Sequence, residues 1–384
     1  MKTDNSTTPR IFNTAFGAAV GVVFVGAAQA QTGFEGGYVG LGYGNLDGTV
    51  GGSASGNPIY DDDYLYGIGH GALNLFGGYN FVNGQTLYGV EATFWADALT
   101  SSDDYDTHGL KELYDLKFRV GRIFGDSLIY GSIGYTDSKA NYYGSDAASS
   151  VYGDNSGLTF GGGFETNVTS RMFVGADVTM RNVDSLKVGP DLVTSVSARI
   201  GYRFSDHDGG GALSAETERG FDGFYAGFGY GAVDGTVGGD SGYDDDYLYG
   251  IGESAVNGFV GFNFVNGNML YGAELTLWQD SLTYSDDYDT HGIRDMVDLK
   301  LRVGRVFGNS MFYGTIGRST VLPNYYGSDS TYGDASGTLF GAGFETNLSD
   351  RVMVGIDFTS RGVNDLKVGP DRINTTSIRA GVRF

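Results

Sequence analysis

The feature that most constrains this chain is an internal duplication. Residues 60–69 (YDDDYLYGIG) return at 243–252, and residues 163–167 (GFETN) return at 343–347. The offset between the copies falls from 183 to 180 residues within a polar stretch rich in glycine, serine and aspartate. Loops tolerate such length changes, whereas paired strands do not. Because this period is far too long for a solenoid repeat, the sequence predicts one domain that is present twice.

The first thirty residues have the three parts of a secretory signal peptide. Lys2 and Arg10 precede an apolar stretch, which ends in the small-x-small triplet Ala28-Gln29-Ala30. A membrane anchor is the alternative, but no later segment approaches the roughly 18 uninterrupted apolar residues of a spanning helix. The expected division is a signal peptide at 1–30, a first repeat at 31–204, a linker at 205–220 and a second repeat at 221–384.

Within each copy, apolar and polar residues alternate with the period of two that is typical of β-strands. The first copy is expected to form strands near 38–46, 71–82, 87–97, 114–124, 128–137, 158–167, 171–181 and 194–204. Short connections with hairpin chemistry, such as Asn83-Gly84, alternate with long ones near 47–70, 98–113, 138–157 and 182–193.

Charged residues occupy one face of these strands and apolar residues occupy the other. Leu116, Phe118 and Val120, for example, alternate with Lys117 and Arg119. A soluble sandwich would bury the apolar face, whereas a membrane barrel turns it towards lipid. The export signal, the alternation of short and long connections, and the terminal aromatic residue favour the barrel. We therefore predict an all-β fold, a transmembrane antiparallel up-and-down β-barrel.

Composition excludes several classes of function. A formal charge of −22 argues against nucleic acid as a partner, because such binding depends on clustered lysine and arginine. The absence of cysteine removes thiol catalysis and cysteine-ligated zinc. Despite 66 glycines, an aromatic content of 14% supplies enough apolar area for an ordered fold.

The signal peptide, the eight alternating strands per copy, the long loops and the C-terminal sequence Gly-Val-Arg-Phe384 resemble the bacterial outer-membrane β-barrel superfamily. The similarity is greatest to the eight-stranded OmpA/OmpX-type and opacity-type surface barrels. It implies a location in the outer membrane of a Gram-negative bacterium, with lipid and lipopolysaccharide as surroundings. It also implies that Phe384 is an assembly signal read by the outer-membrane assembly machinery. The tandem arrangement departs from the family pattern.

Sixteen strands can close as two eight-stranded barrels or as one sixteen-stranded, porin-like barrel. An eight-stranded barrel is filled by side chains, whereas sixteen strands leave a water channel. Each copy has four acidic and five basic residues of inward parity, and this near-balance suits a narrow lumen. The inward glycines Gly40, Gly42 and Gly44 are expected to make room for arginines of the adjacent eighth strand. These observations favour two barrels.

The predicted luminal charges form two equivalent sets. They are Glu91, Asp115, Lys117, Arg119, Glu165, Asp177, Arg181, Arg199 and Arg203 in the first copy, and Glu274, Asp298, Lys300, Arg302, Glu345, Asp357, Arg361, Arg379 and Arg383 in the second.

The predicted outer loops carry clusters of aspartate. They are Asp61, Asp62, Asp63, Asp103, Asp104 and Asp106, with copies at Asp244, Asp245, Asp246, Asp286, Asp287 and Asp289. A solvated acidic surface is the simpler interpretation, and bridging of divalent cations to lipopolysaccharide phosphates is the alternative. No cofactor is expected apart from such a cation. Near the strand ends, Tyr43, Tyr88, Tyr130 and Tyr202 are expected to form interfacial girdles.

The function predicted from these features is a structural or surface-interaction role through the acidic loops. A porin for small solutes is the alternative, and its prediction depends on sixteen-strand closure. An outer-membrane enzyme is a remote third hypothesis, in which Asp106 and His108 would act as an acid–base pair.

Overall fold

The computed structural model describes two closed β-barrels. The described residues are 33–51, 65–102, 106–140, 143–144, 155–183, 192–205, 211–214, 220–237, 249–285, 290–323, 335–364 and 372–384. Within them, no helix is long and apolar enough to cross a membrane. The signal peptide predicted at 1–30 lies outside the described residues.

Barrel one consists of the elements from Gly36 to Arg203. Its strands are β1 (Gly36–Gly51), β2 (Leu65–Asn83), β3 (Thr86–Ser102), β4 (Asp106–Phe124), β5 (Ser127–Ala140), the two-residue β6 (Tyr143–Gly144), β7 (Asn155–Asn167), β8 (Met172–Asn182) and β9 (Leu192–Arg203). β6 pairs only with the start of β4, so eight long strands form the wall.

Barrel two consists of eight strands from Gly223 to Arg383. They are β10 (Gly223–Val237), β11 (Tyr249–Asn266), β12 (Met269–Ser285), β13 (Thr290–Phe307), β14 (Ser310–Pro323), β15 (Ala335–Asn347), β16 (Val352–Asn364) and β17 (Arg372–Arg383). One 3₁₀ turn, η1 (Ala212–Ser214), lies between the barrels in the chain.

Each barrel closes on itself, so the sixteen-stranded alternative is wrong. β1 pairs antiparallel with β2 along one edge and with β9 along the other, where Tyr38 lies opposite Arg203. β10 likewise pairs with β11 and β17, and Tyr225 lies opposite Arg383. A single wide barrel would need β9 to pair with β10, but both edges of β1 and of β10 are already occupied.

The short hairpin turns lie where the sequence predicts them. Gly84, Gly125, Gly267 and Gly308 have φ angles of 62°, 57°, 62° and 52°, in the left-handed region that favours glycine. The opposite ends of several strands extend beyond the predictions. β2 begins at Leu65 rather than near 71, and β4 begins at Asp106 rather than near 114. In these extensions the backbone hydrogen bonds continue beyond the apolar band. The alternation of apolar and polar residues ends there, so the sequence pattern does not indicate a strand.

The wall has an apolar outer face and a polar inner face, as the period of two predicts. Leu41, Phe118 and Leu301 are among the exposed outward residues, while Glu91 and Arg119 are fully buried on the inward parity. An exposed apolar band on a barrel of this kind faces lipid. The protein is therefore an integral membrane barrel whose polar residues line the inside.

The luminal charge belt

Each lumen contains a connected belt of ion pairs at mid-height, which we call the charge belt. In barrel one its centre is Glu91 on β3. The Glu91 carboxylate lies 3.1 Å from Lys117 Nζ, 2.8 Å from Arg119 Nη1 and 2.5 Å from Arg199 Nη2. Tyr38 donates its hydroxyl proton to the same carboxylate at 2.9 Å. One acidic side chain thus links strands β1, β3, β4 and β9 across the lumen.

Glu165 on β7 is the second acidic centre of this belt. It accepts from Arg119 Nη2 at 2.6 Å and from Arg203 Nη2 at 2.6 Å. Arg119 therefore bridges Glu91 and Glu165, while Arg203 also donates to Asn167 Oδ1 at 2.9 Å. These contacts extend the belt towards the end of the barrel that carries the short turns.

Asp177 and Asp115 extend the belt in the other direction. Asp177 lies 3.0 Å from Lys117 Nζ, and Asp115 is held by Arg181 through two parallel bonds of 2.8 and 2.7 Å. Such bidentate arginine–carboxylate pairs fix geometry as well as charge. Arg181 also donates to Thr179 O at 3.2 Å, and Thr179 Oγ1 donates to Asp177 at 2.6 Å, so all nine predicted charges of barrel one belong to one network.

Barrel two has the same belt at the equivalent positions. Glu274 lies 3.1 Å from Arg302 Nη1 and 2.6 Å from Arg379 Nη2. Glu345 accepts from Arg302 at 2.6 Å and from Arg383 at 2.9 Å. The remaining contacts join Lys300 to Asp357 at 2.8 Å and Arg361 to Asp298 at 2.8 and 2.5 Å.

Two buried tyrosines belong to each belt, and the sequence prediction for one of them is wrong. Tyr130 was expected in an outer girdle, but it is buried in the lumen and donates to Asp177 Oδ2 at 2.8 Å. Its inward position follows from parity, because Ile133 and Tyr135 on the same strand face outward. Tyr43, Tyr88 and Tyr202 are partly exposed on the outer face. Tyr38, which accompanies Tyr130 in the belt, was missed altogether.

The inward glycines Gly40 and Gly42 of β1 accommodate side chains of the neighbouring strand β2 rather than arginines directly. A Cβ on Gly40 would lie 2.3 Å from the Phe76 ring, and one on Gly42 would lie 2.6 Å from the Asn74 amide. The Arg199 guanidinium then stacks 3.6 Å from the centroid of Phe76. The expectation that arginines fill this space is thus corrected. The absence of a side chain at Gly40 leaves room for the Phe76 ring, and this ring makes a cation–π contact with Arg199.

Apolar layers lie on either side of the charge belt. In barrel one, the layer on the short-turn side contains Phe34, Leu87, Ile123 and Leu128. The layer on the other side contains Leu46, Ala72, Trp95, Leu110, Leu113, Val183 and Val193. Barrel two has equivalent layers. Belt and layers together fill the interior, as is normal for eight-stranded barrels.

The ion pairs of the belt hold the strands of the barrel together, and they leave few charged groups accessible to a solute. Every belt carboxylate has at least two donors, and the side chains are nearly inaccessible to solvent. A buried charge without such partners would cost several kcal/mol. The belt therefore couples the pairing of remote strands to one shared electrostatic network.

Of the aspartates predicted as cation ligands, only Asp106 is among the described residues. Asp61–Asp63, Asp103, Asp104, Asp244–Asp246, Asp286, Asp287 and Asp289 lie outside the described residues. Asp106 is the first residue of β4, where a loop was expected.

Phe384, the predicted assembly signal, follows β17 on the outer face. It is 80% exposed and donates its backbone N–H to Phe224 O at 2.9 Å.

Comparison with known proteins agrees with this architecture. Residues 16–204 and 209–384 each match the family described as outer membrane protein beta-barrel domain. A "22 kDa outer membrane protein" of Rhizobium leguminosarum bv. viciae is 33% identical over 115 residues, which are 29% of this chain and 50% of that protein. The chain thus spans about half the length of this curated relative.

Two solved structures illustrate the range of similar barrels. The attachment invasion locus protein Ail of Yersinia pestis aligns with a TM-score of 0.27 and 18% identity, over 44% of this chain and 99% of Ail. A FadL homologue of Pseudomonas aeruginosa aligns with a TM-score of 0.26 and 11% identity, over 91% of this chain and 90% of that protein. Since the family match covers nearly the whole chain in two consecutive copies, the chain belongs to the outer membrane protein beta-barrel domain family and is a protein of the Gram-negative outer membrane.

Proposed function

We propose that this protein is a non-conducting, non-enzymatic barrel pair of the outer membrane, which acts through the segments that join its strands on the cell surface. The observation that carries the proposal is the filled lumen. The charge belt includes residues from seven of the eight long strands of each barrel and lies between two apolar layers. A diffusion pore instead needs a continuous polar path.

The surface segments support the second half of the proposal. The acidic motifs YDDDYLYGIG and SDDYDTHG are identical in both copies, although the adjoining stretches differ in length. The long connections all lie at the end opposite to the hairpin turns, which is the outer surface in barrels of this class. The strand ends thus place both copies of the two acidic motifs on the same side of the membrane.

Planar-bilayer recording tests the lumen. We expect the purified, refolded protein to give no stable conductance steps under conditions in which a general porin, reconstituted at the same ratio, gives nanosiemens-scale steps. Stable steps of that size, seen only with folded protein, would contradict the proposal. Unfolded protein from the same preparation controls for leakage caused by detergent.

Calcium titration tests one possible role of the acidic surface. If cations bridge it to lipopolysaccharide, calcium should raise the melting temperature in lipopolysaccharide-containing vesicles, and asparagine at 61–63 and 244–246 should abolish the increase. Absence of a calcium effect on the parent protein would rule out the cation bridge and leave a solvated acidic surface.

A further inference from the structure

Some residues on the outward face of the strands are buried instead of facing lipid. Phe164, Thr166, Ala176 and Val196 are outward residues of barrel one, yet each is at most 1% exposed. Their neighbours on the same faces, such as Phe160, are about half exposed. Barrel two covers these buried outward residues.

The contact brings equivalent strands together. β1, β2, β8 and β9 approach β10, β11, β16 and β17, so that each strand lies near its own counterpart in the other copy. Because the long connections of both barrels must be on the same side of the membrane, this arrangement corresponds to a pseudo-twofold axis along the barrel axes. Self-complementary contact of this kind is characteristic of twofold dimers.

At the short-turn end, the contact is made by equivalent residues of the two copies. Phe164 stacks on Phe344 with ring centroids 6.3 Å apart and an interplanar angle of 11°. Beside them, Ser127 Oγ lies 3.0 Å from Thr166 Oγ1 and 3.3 Å from Thr346 Oγ1. All of these side chains except Phe344 are at most 1% exposed. Hydroxyl groups on the outward face are thus satisfied by the other barrel.

At the long-connection end, the two copies have diverged. Thr376 donates to Asn45 Oδ1 at 2.8 Å, and Ser254 donates to the Asp47 carboxylate at 2.8 Å. The positions equivalent to Asn45 and Thr376 are Ala232 and Val196, and these are buried without a polar group. An aspartate facing lipid would be costly, so its placement on the outward parity is explained by the contact.

The linker also attaches to both barrels. Leu213 N donates to Val168 O at 2.9 Å, in the turn between β7 and β8. The adjacent Ala212 is buried in a cluster that also contains Phe307 of barrel two, together with Phe164 and Phe344. Because the linker joins the two barrels covalently, each barrel is present at a high effective concentration near the other, which favours their association.

We propose that the two barrels form a fixed, lipid-excluding pseudo-twofold dimer within one chain, rather than two barrels that diffuse independently on a tether. In a bilayer, such association depends on close packing and hydrogen bonds, because lipid is as apolar as leucine. The interface has both, with stacked rings and hydroxyl contacts at its short-turn end and hydrogen-bonded polar pairs at its long-connection end.

Disulfide crosslinking tests this proposal directly, since the parent chain has no cysteine. We expect Ser127→Cys with Thr346→Cys to form an intramolecular disulfide rapidly in native membranes, because the two hydroxyl oxygens lie 3.3 Å apart. The control pair is Phe118→Cys with Leu301→Cys, at equivalent outward positions that are 47% and 60% exposed. That pair should not crosslink.

The assay is non-reducing electrophoresis after oxidation, with heat-modifiability as the check that each variant is folded. Crosslinking confined to the first pair supports the fixed dimer. Equal yields from both pairs, or no crosslink in folded protein, would overturn it. As an independent measurement, spin labels at 118 and 301 should give one narrow distance distribution, and a broad distribution would also overturn the proposal.

Discussion

Replacement of Glu91 by glutamine tests the role of the charge belt most sharply. The change keeps the side-chain volume but removes a negative charge that lies 3.1, 2.8 and 2.5 Å from three cationic groups. Breaking a buried ion pair by removing one partner costs about 3–5 kcal/mol, because the remaining charge stays buried. In the variant, Lys117, Arg119 and Arg199 would share the two remaining carboxylates, Glu165 and Asp177. We therefore expect the unfolding free energy to fall by about 3–5 kcal/mol.

The two tryptophans make the assay specific for one barrel. Trp95 is buried in the lumen of barrel one and Trp278 in that of barrel two, and the chain has no others. In a Trp278→Phe background, urea unfolding in lipid vesicles followed by tryptophan fluorescence reports on barrel one alone. Glu91→Gln should shift this transition strongly.

Two matched variants complete the experiment, and because both lie in barrel two they are measured in a Trp95→Phe background, where Trp278 fluorescence reports on barrel two alone. Glu274→Gln should cost barrel two about as much as Glu91→Gln costs barrel one, because its contacts are equivalent. Asp295→Asn breaks the exposed pair with Arg294, whose side chain is 57% exposed, and should cost less than about 1 kcal/mol. If Glu91→Gln changes the unfolding free energy no more than Asp295→Asn does, the belt does not brace the barrel.

Further predictions concern the glycines and a single ion pair. Gly40→Ala would place a methyl group 2.3 Å from a luminal ring and should cost about 1–3 kcal/mol by urea unfolding, whereas Gly131→Ala, with only one atom at 3.9 Å, should be nearly neutral. Arg181→Met alone should destabilise more than Asp115→Asn combined with Arg181→Met, because the single change leaves a buried carboxylate unpaired; equal losses would contradict this. Gly84→Ala, at a φ of 62° that is strained for a residue with a Cβ, should lower the unfolding free energy by about 1–2 kcal/mol, and an unchanged urea transition would contradict this.

The period of two predicted the strands and the face of each strand that carries the charges, whereas the choice of a membrane barrel over a soluble sandwich also needed the export signal, the alternation of short and long connections and the terminal aromatic residue. Lys117 and Arg119 alternate with Leu116 and Phe118, and in a membrane barrel this parity places them in the lumen. It could not predict which acid meets which base. Glu91 and Arg199 are 108 residues apart, and their contact depends on the stagger at which β1 closes onto β9.

Two further features were beyond a strand-by-strand interpretation. The outward residues Phe164 and Ala176 have the pattern of lipid-facing positions, and only the packing of one barrel on the other buries them. Tyr130 was misplaced because tyrosine is common at membrane interfaces, although its parity indicated the lumen.

Refolding of residues 31–204 alone is the most direct test of the central claim that each copy closes as its own barrel. The register between β1 and β9 closes barrel one without any strand of barrel two. We therefore expect the half-chain to give a compact, protease-resistant, heat-modifiable band in lipid vesicles, with buried Trp95 fluorescence. If the half-chain stays unfolded under conditions in which the full chain folds, the copies do not close independently and the account is wrong.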